Sequence, residues 1–395
     1  VKPLTLACLD VVAKNFHLYP NMESLDPKFA TAITSALPLD LDVLVSGPHV
    51  NDEQYWKRVS LEGKKWENCQ IAEHGMSWKQ LFFERYFQVT GQWPATHGMC
   101  LLCARAHELD RLAKVVKVAE DFVFNLRLEQ MLSHLDLEIV FSRLPNLSAL
   151  EMTYGVKKIG MKYDRALFGI KISDAMSLAK CVRATETLTT LILPCNLIDD
   201  DLMRMLMTGL IRNQTITHLD VSHNNITNYG VRLLSKLLGP KSVLMHLNLA
   251  GNQVHADGGK YLGRALKRND SITELNLRLN RLEDEGGRML LEGARHSHSL
   301  TALNLACNSL ASASGDALVA ALTSETFPLA TLDLAGNALD DRAAQVVAEA
   351  LKENTTLTAL DLRANEGLAA ESLHVAAIHK FTRRNELALR RALHK

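Results

Sequence analysis

The chain has 395 residues, enough for two or three domains' worth of core. Lys plus Arg (44) balances Asp plus Glu (44), so no global charge draws it to nucleic acid or to an anionic membrane. No apolar run approaches the roughly 20 residues of a membrane span, no signal peptide is read, and seven scattered cysteines argue against a secreted disulfide framework and for a reducing, cytosolic compartment. The chain opens on Val1 rather than Met, so an upstream segment is expected to be missing.

Residues 1–118 read as a helical N-terminal domain. Leu4–Phe16 and Pro27–Ala36 are amphipathic helices, with Pro27 suited to a first helical turn. Glu53–Val59 and Trp78–Phe87 are further helices, and Met99–Val118 is a longer one. Trp56, Trp66, Trp78 and Trp93 all fall here. The spacing of Trp78, Phe82, Phe83, Tyr86 and Phe87 reads as core, with an aromatic surface for a partner helix as the alternative.

Residues 119–187 read as degenerate first repeats with an insertion. Asp136–Arg143 is a helix, and Leu147–Met152 is a strand phrase with Gly155 where an Asn is expected. The next phrase starts 41 residues later at Leu188, which leaves about 13 residues over the period seen downstream. The surplus is expected in Gly155–Asp174, whose basic run Lys157–Arg165 is a solvated insertion or an edge docking point.

Residues 188–371 are regular. Asn196, Asn224, Asn252, Asn280, Asn308, Asn337 and Asn365 lie 28, 28, 28, 28, 29 and 28 residues apart, each closing the phrase LxxLxLxxNxL, as in Leu300–Leu310. The leucines alternate through a short strand and point inward. The Asn stands where the chain turns out of the strand, where its amide can satisfy backbone groups otherwise buried without partners. Asp201–Ile211, Tyr229–Leu238 and Arg342–Leu351 then read as amphipathic helices. A 28-residue strand–turn–helix unit resembles the ribonuclease-inhibitor class of leucine-rich repeat. The expected fold class is an α/β solenoid with parallel strands on a concave face and helices on a convex face, preceded by the helical domain. Cys195 and Cys307 share the place before the Asn, so cysteine is read as merely tolerated there.

The concave face presents the residues between the buried leucines. One column is Ile192, Asp220, Asn248, Asn276, Asn304, Asp333 and Asp361; the column before it includes His218, His246 and Glu274; the column after it includes Ser222, Ala250, Arg278, Ala306 and Arg363. The Asp/Asn column serves either the neighbouring strands or a partner. His218, Asp220, His246, Asn248, Glu274, Asn276 and Arg278 form the candidate partner surface, and the Ala-lined C-terminal half leaves room for a helix, as a coiled-coil partner would need. Residues 372–395 break the repeat and read as one or two capping helices. Their Lys380, Arg383, Arg384, Arg390 and Arg391 offer, as the alternative, a basic contact to an acidic partner.

No chemistry emerges. His107-Glu108 has Arg111 where a zinc-binding helix needs its second His. Cys100 and Cys103 have ligand spacing but no second pair, and read as buried helix cysteines. Gly259-Lys260 lacks the Ser or Thr of a phosphate loop, and no GxSxG elbow occurs. The reading is a protein with no catalytic residue, metal, cofactor or small-molecule substrate.

Cys8–Pro20, Tyr55–Arg58, His74–Tyr86 and Gly160–Gly169 resemble the t-complex-associated testis-expressed protein family, the dynein regulatory complex subunit 5 of motile cilia. The resemblance implies a structural subunit of the nexin link between outer doublet microtubules of the ciliary or flagellar axoneme, constraining dynein-driven sliding into bending. It implies other subunits of that complex as partners, with further axonemal proteins or acidic tubulin tails as additional ones. A second resemblance competes. Ser77–Arg85 is also similar to the region after the cullin-adaptor helices of elongin A and F-box proteins, and Pro3–Val12 fits an elongin-binding box through Leu4 and Cys8. That implies a substrate adaptor of an elongin/cullin or F-box type ubiquitin ligase; ordinary helix packing is the plainer reading of those residues. A third class built on this repeat, the GTPase-activating proteins, would carry an acidic tail where this chain is basic.

Overall fold

The computed structural model describes residues 3–22, 25–91, 106–131, 137–155, 168–324, 327–369 and 372–393. Two units separate: Val1–Met131 with Leu135–Glu151, and Leu132–His134 with Met152–Lys395. Trp93, Cys100, Cys103, the start of the Met99–Val118 helix and the basic run Lys157–Arg165 lie outside the described residues.

The first unit contains α1 (Leu4–Lys14), α2 (Pro27–Ala36), α3 (Val43–His49), α4 (Glu53–Arg58), α5 (Trp78–Gly91), α6 (Ala106–Ala119), β1 (Asn125–Met131) and α7 (Leu137–Arg143). Asp26, Asp42 and Asp52 start α2, α3 and α4 by accepting the backbone N–H two residues on, satisfying donors that a helix cannot satisfy itself. α3 was not expected from the sequence, because Gly47 and Pro48 sit inside it. Gly47 belongs there for packing: a Cβ would meet Val118 Cγ1 at 2.3 Å. An aromatic core holds the unit, with the Trp56 ring 4.8 Å from Phe82 and 5.5 Å from Phe83, which stacks on Phe122 at 5.7 Å.

Two charged side chains are buried in that core. Glu84 accepts from Gln80 (3.0 Å) and from the backbone N–H groups of Phe124 (2.9 Å) and Asn125 (2.8 Å), and also meets His74; it fixes the start of β1. Lys79, 3 % exposed, donates to Asn51 Oδ1 at 2.6 Å and lies 4.3 Å from the Phe122 ring. Burial pushes its ammonium down to about 8, with Glu53 opposing the shift.

The second unit is the parallel-strand solenoid that the repeat requires. β2 (Ala149–Tyr154), of which Met152–Tyr154 belong to this unit, carries the damaged phrase. Then α8 (Ile172–Ala184), β3 (Thr190–Ile192), α9 (Asp200–Leu210), β4 (His218–Asp220), α10 (Asn228–Leu234), β5 (His246–Asn248), α11 (Ala256–Leu266), β6 (Glu274–Asn276), α12 (Glu283–Ala294), β7 (Ala302–Asn304), α13 (Ser312–Leu322), β8 (Thr331–Asp333), α14 (Asp341–Glu353) and β9 (Ala359–Asp361) alternate. β3 to β9 pair in parallel, each with the next, so that Leu191, Leu219, Leu247, Leu275, Leu303, Leu332 and Leu360 form one buried row.

The Asn column joins repeats as well as closing turns. Asn252 Nδ2 donates to Leu249 O (2.9 Å) in its own repeat and to Val221 O (3.0 Å) in the repeat before, while its Oδ1 accepts from Ile226 N (3.1 Å). Asn224, Asn280, Asn308, Asn337 and Asn365 repeat this geometry. Asn196 serves the damaged phrase, which lacks its own Asn, through Met152 O (2.8 Å) and Tyr154 N (2.7 Å). A second coupling was not read from the sequence. Asp200, Asn228 and Asp284, each in the first turn of its helix, accept backbone N–H groups at the start of the following repeat's helix.

The residue before each Asn is left-handed. Cys195, His223, Gly251, Leu279, Cys307, Gly336 and Ala364 have φ between 55° and 66°. Cys195 and Cys307 therefore occupy a position that strains any side chain with a Cβ, rather than a neutral one. α10 also departs from expectation: it tightens into a 3-10 turn, Ser235–Leu238, ahead of Gly239-Pro240.

Residues 373–393 form a single helix, α15 (Leu373–Leu393), where one or two were expected. Its buried Asn385 donates to Asn354 O (3.0 Å) and Leu357 O (2.9 Å). Arg384 donates to Leu351 O (3.1 Å), Lys352 O (2.9 Å) and Asn354 O (2.8 Å), satisfying the carbonyls at the end of α14. The last repeat is closed by these bonds.

Two outcomes follow from this architecture. Asn252→Ala strands the Ile226 N–H in a dry interior and leaves Val221 O and Leu249 O with one amide donor each, from Asn224 and Asn280, at a cost of about 1–3 kcal/mol, whereas His246→Ala on the strand face costs roughly 1 kcal/mol or less. Melting followed by circular dichroism should rank them in that order, and equal midpoints would contradict it. Lys79 gives a pH dependence of defined sign. Its folded value of about 8 lies below the 10.5 of the unfolded chain, so the unfolded state holds the extra proton between them. The penalty, up to about 3 kcal/mol, is full below that window and fades as pH rises through it. Tryptophan fluorescence melts should show the first unit gaining stability between about pH 8 and 10.5 relative to Lys79→Met, which lacks the titrating group; parallel pH profiles would refute this.

Candidate interaction surface

Three-residue strands offer few outward positions, so each side chain on the strand face can be placed. His218 and His246 are partners in register on β4 and β5, and Glu274 follows on β6. The two imidazoles stack face to face, 4.0 Å between centroids and 10° apart. His246 Nδ1 lies 2.9 Å from Glu274 Oε2, and His218 Nδ1 lies 2.7 Å from Thr217 Oγ1. Burial, then the adjoining His246, hold His218 below the ordinary imidazole value, against the pull of Glu274. The trio is a half-exposed polar ridge.

From Asp220 to Asp361 the Asp/Asn column has a local task; Ile192, at its head, has no acceptor to share it. Asp220, Asn248, Asn276, Asn304, Asp333 and Asp361 each accept, through Oδ1, the backbone N–H two residues on, at 2.8–3.1 Å. These are Asx turns that end the strands. Asn248 also donates to Asp220 (2.7 Å) and Asn304 to Asp333 (3.0 Å), so the column is laced laterally. The next column does not match the sequence expectation. Ser222, Ala250 and Ala306 are buried, because the chain has already turned inward two residues past the strand. Only Arg278 and Arg363 project from it as exposed cations. Arg363 is tied to Asp361, and its hydrogen bond holds that carboxyl below its usual range. Arg278 forms no ion pair among the described residues.

Toward the C-terminal end the face becomes a trough of about 840 Å³. Ala302, Thr331 and Ala359 floor it, the Asn304–Asp333–Asp361 column borders it, and His379, Arg383 and Glu386 of α15 form its far wall. The candidate basic residues of α15 therefore divide. Arg384 is consumed by the α14 carbonyls and Arg390 pairs with Glu386 (2.6 Å), while Lys380, Arg383 and Arg391 stay exposed. Among the described residues no group of three or more His, Cys, Asp or Glu is placed to hold a metal ion. Among the same residues no helix is long and apolar enough to cross a membrane.

Comparison with known proteins places these features. The family described as Leucine Rich repeat matches residues 212–235, 241–263, 268–291 and 296–319. The chain is 41% identical over 208 residues to dynein regulatory complex subunit 5 of Chlamydomonas reinhardtii, covering 52% of this chain and 50% of that protein. It is 30% identical over 249 residues to the subunit 5 of Mus musculus, covering 56% and 48%. The same subunit of Homo sapiens is 30% identical over 241 residues, covering 56% and 48%. Among solved structures, an internalin from Listeria monocytogenes superposes on 68% of this chain and 74% of its own, with 16% identity and a TM-score of 0.40. The chain spans about half the length of the curated relatives it matches. Its second unit folds as leucine-rich repeats, and over part of its length the chain is similar to the dynein regulatory complex subunit 5 proteins.

Proposed function

We propose that this protein is a non-catalytic scaffold subunit of the nexin–dynein regulatory complex in the ciliary or flagellar axoneme, and that it holds other subunits of that complex in place. The observation that carries the reading is the 41% identity over 208 residues to a subunit 5 protein. The geometry supports it: a row of repeats locked by side-chain amides offers a stiff platform, and its strand face ends in a trough floored by small residues. A partner helix of a coiled coil fits there. Its polar side would meet His218, His246, Glu274 and Arg278 farther along the face; Asn276 would use the amide NH2 its turn leaves over, while Asp220 and Asn248 would present the edge of their mutual hydrogen bond. Lys380, Arg383 and Arg391 are the exposed cations available to an acidic axonemal partner such as a tubulin tail.

One observation favours a second reading. On α1 Leu4 is 81% exposed, and Cys8 is exposed on the same helical face with Val11. That is the presentation an elongin-binding box needs, and it would make the protein a ubiquitin-ligase substrate adaptor.

Gentle affinity purification of the tagged protein from ciliated cells, with mass spectrometry of what comes with it, separates the two. Dynein regulatory complex subunits recovered from the axoneme fraction, and lost with a Glu274→Arg, Arg278→Glu double variant, are expected. Recovery of elongins and a cullin from the soluble fraction, abolished by Leu4→Ala with Cys8→Ala, would overturn the scaffold reading.

A further inference from the structure

Parallel strands each followed by a helix force every repeat helix to run the same way. One edge of the second unit therefore collects the helix C-termini and the turns that lead into the strands. Arg183, Arg212, Lys236, Lys241, Lys267 and Arg268 stand along it, all exposed, across four consecutive repeats. None pairs with a carboxylate among the described residues, and Glu186 and Asp270 are the acids beside them. Arg295 extends the row by one more repeat. Beside it, burial and then the Arg295 and Lys267 charges hold His296 below its ordinary value. The opposite edge carries Asp199, Asp200 and Asp201 and then Glu283, Asp284 and Glu285 at helix starts. A chain of zero net charge is thus polarised across its repeats.

Favourable placement of cations at helix C-termini accounts for part of this row. It does not account for Lys241, which lies in a loop beyond its helix, nor for the groove beneath it. Because α10 ends early and Gly239-Pro240 carries the chain outward, a groove of about 470 Å³ opens between the ends of two repeats. Leu210, Ile211, Leu237 and Val243 line it, and Lys236 and Lys241 rim it. Ile211 is 51% exposed and Val243 is 38% exposed. Apolar side chains left open at the centre of a cationic row specify two features of an occupant at once.

We propose that this edge docks an acidic amphipathic segment of a partner protein. An apolar side chain of the segment seats between Ile211 and Val243, and flanking carboxylates lie over Lys236, Lys241, Lys267 and Arg268. A nucleic acid or an anionic membrane would use the cations but leave the apolar floor uncovered. The site is separate from the strand face and stands whether or not that face holds an axonemal subunit.

The test is fluorescence anisotropy of the full chain with a labelled helical peptide of about four turns, bearing glutamates on both sides of two leucines. Binding should weaken by about tenfold or more when the glutamates become glutamines, when the leucines become serines, or in Lys236→Glu with Lys241→Glu. Added salt should weaken it as well. Ile211→Gln should weaken it, whereas Lys380→Glu with Arg383→Glu on α15 should not. The comparison between peptides needs no protein variant, so it decides the matter even if an edge substitution unfolds the repeat. Equal affinity for the glutamine peptide, insensitivity to the edge substitutions, or preferential binding of phosphatidylserine vesicles or duplex RNA would overturn the proposal.

Discussion

Everything in the second unit depends on a side-chain amide reaching into the repeat before it. A strand of three residues makes too few backbone hydrogen bonds to hold a sheet, and the turn that leaves it buries N–H and carbonyl groups. The Asn at each turn satisfies both its own repeat and the preceding one, as Asn252 does through Leu249 and Val221. No other uncharged side chain except Gln offers two donors and an acceptor in one plane, and Gln is a methylene too long. Stability then becomes a sum of neighbour terms, the behaviour of a linear array. Asp200, Asn228 and Asp284 add to it by capping the next helix along.

That coupling has a mechanical consequence. A stack locked at each step keeps its strand face rigid and repetitive, which suits the holding of an elongated partner. The left-handed residue before each Asn gives a fixed strand exit, and strain at Leu279 or Cys307 is tolerated because the amide network over-determines the turn. The two ends of the array are solved differently. Asn196 reaches back to a phrase that has lost its own Asn, and α15 supplies Asn385 and Arg384 to the open carbonyls of the last repeat.

The repeats were legible because two columns, Leu and Asn, recur at a nearly fixed spacing and each has one physical role. The strand-face columns were legible only for positions inside the strand. Ser222, Ala250 and Ala306 were placed outward because alternation was extended past the point where the chain turns. The capping column was missed because Ala256 and Ser312 interrupt it, so it shows no periodic residue type. β1 alternates apolar and polar residues through Leu126 and Leu128, but it sits outside the 28-residue beat, so the repeat does not mark it. The role of Arg384 depends on α15 folding onto α14, a long-range contact that no local pattern encodes. Charge polarity between the two edges was hidden by a net charge of zero and emerges only once the helices are known to run in one direction.

Amide hydrogen exchange of Asn280→Ala against the parent chain tests the neighbour coupling most directly. Asn280 holds Val254 N, Leu249 O and Leu277 O, so faster exchange confined to the repeats around β5, β6 and β7, with β9 unchanged, is the expected result. Uniform acceleration across the second unit, or no change at Val254, would contradict the view that each Asn couples its repeat to the one before.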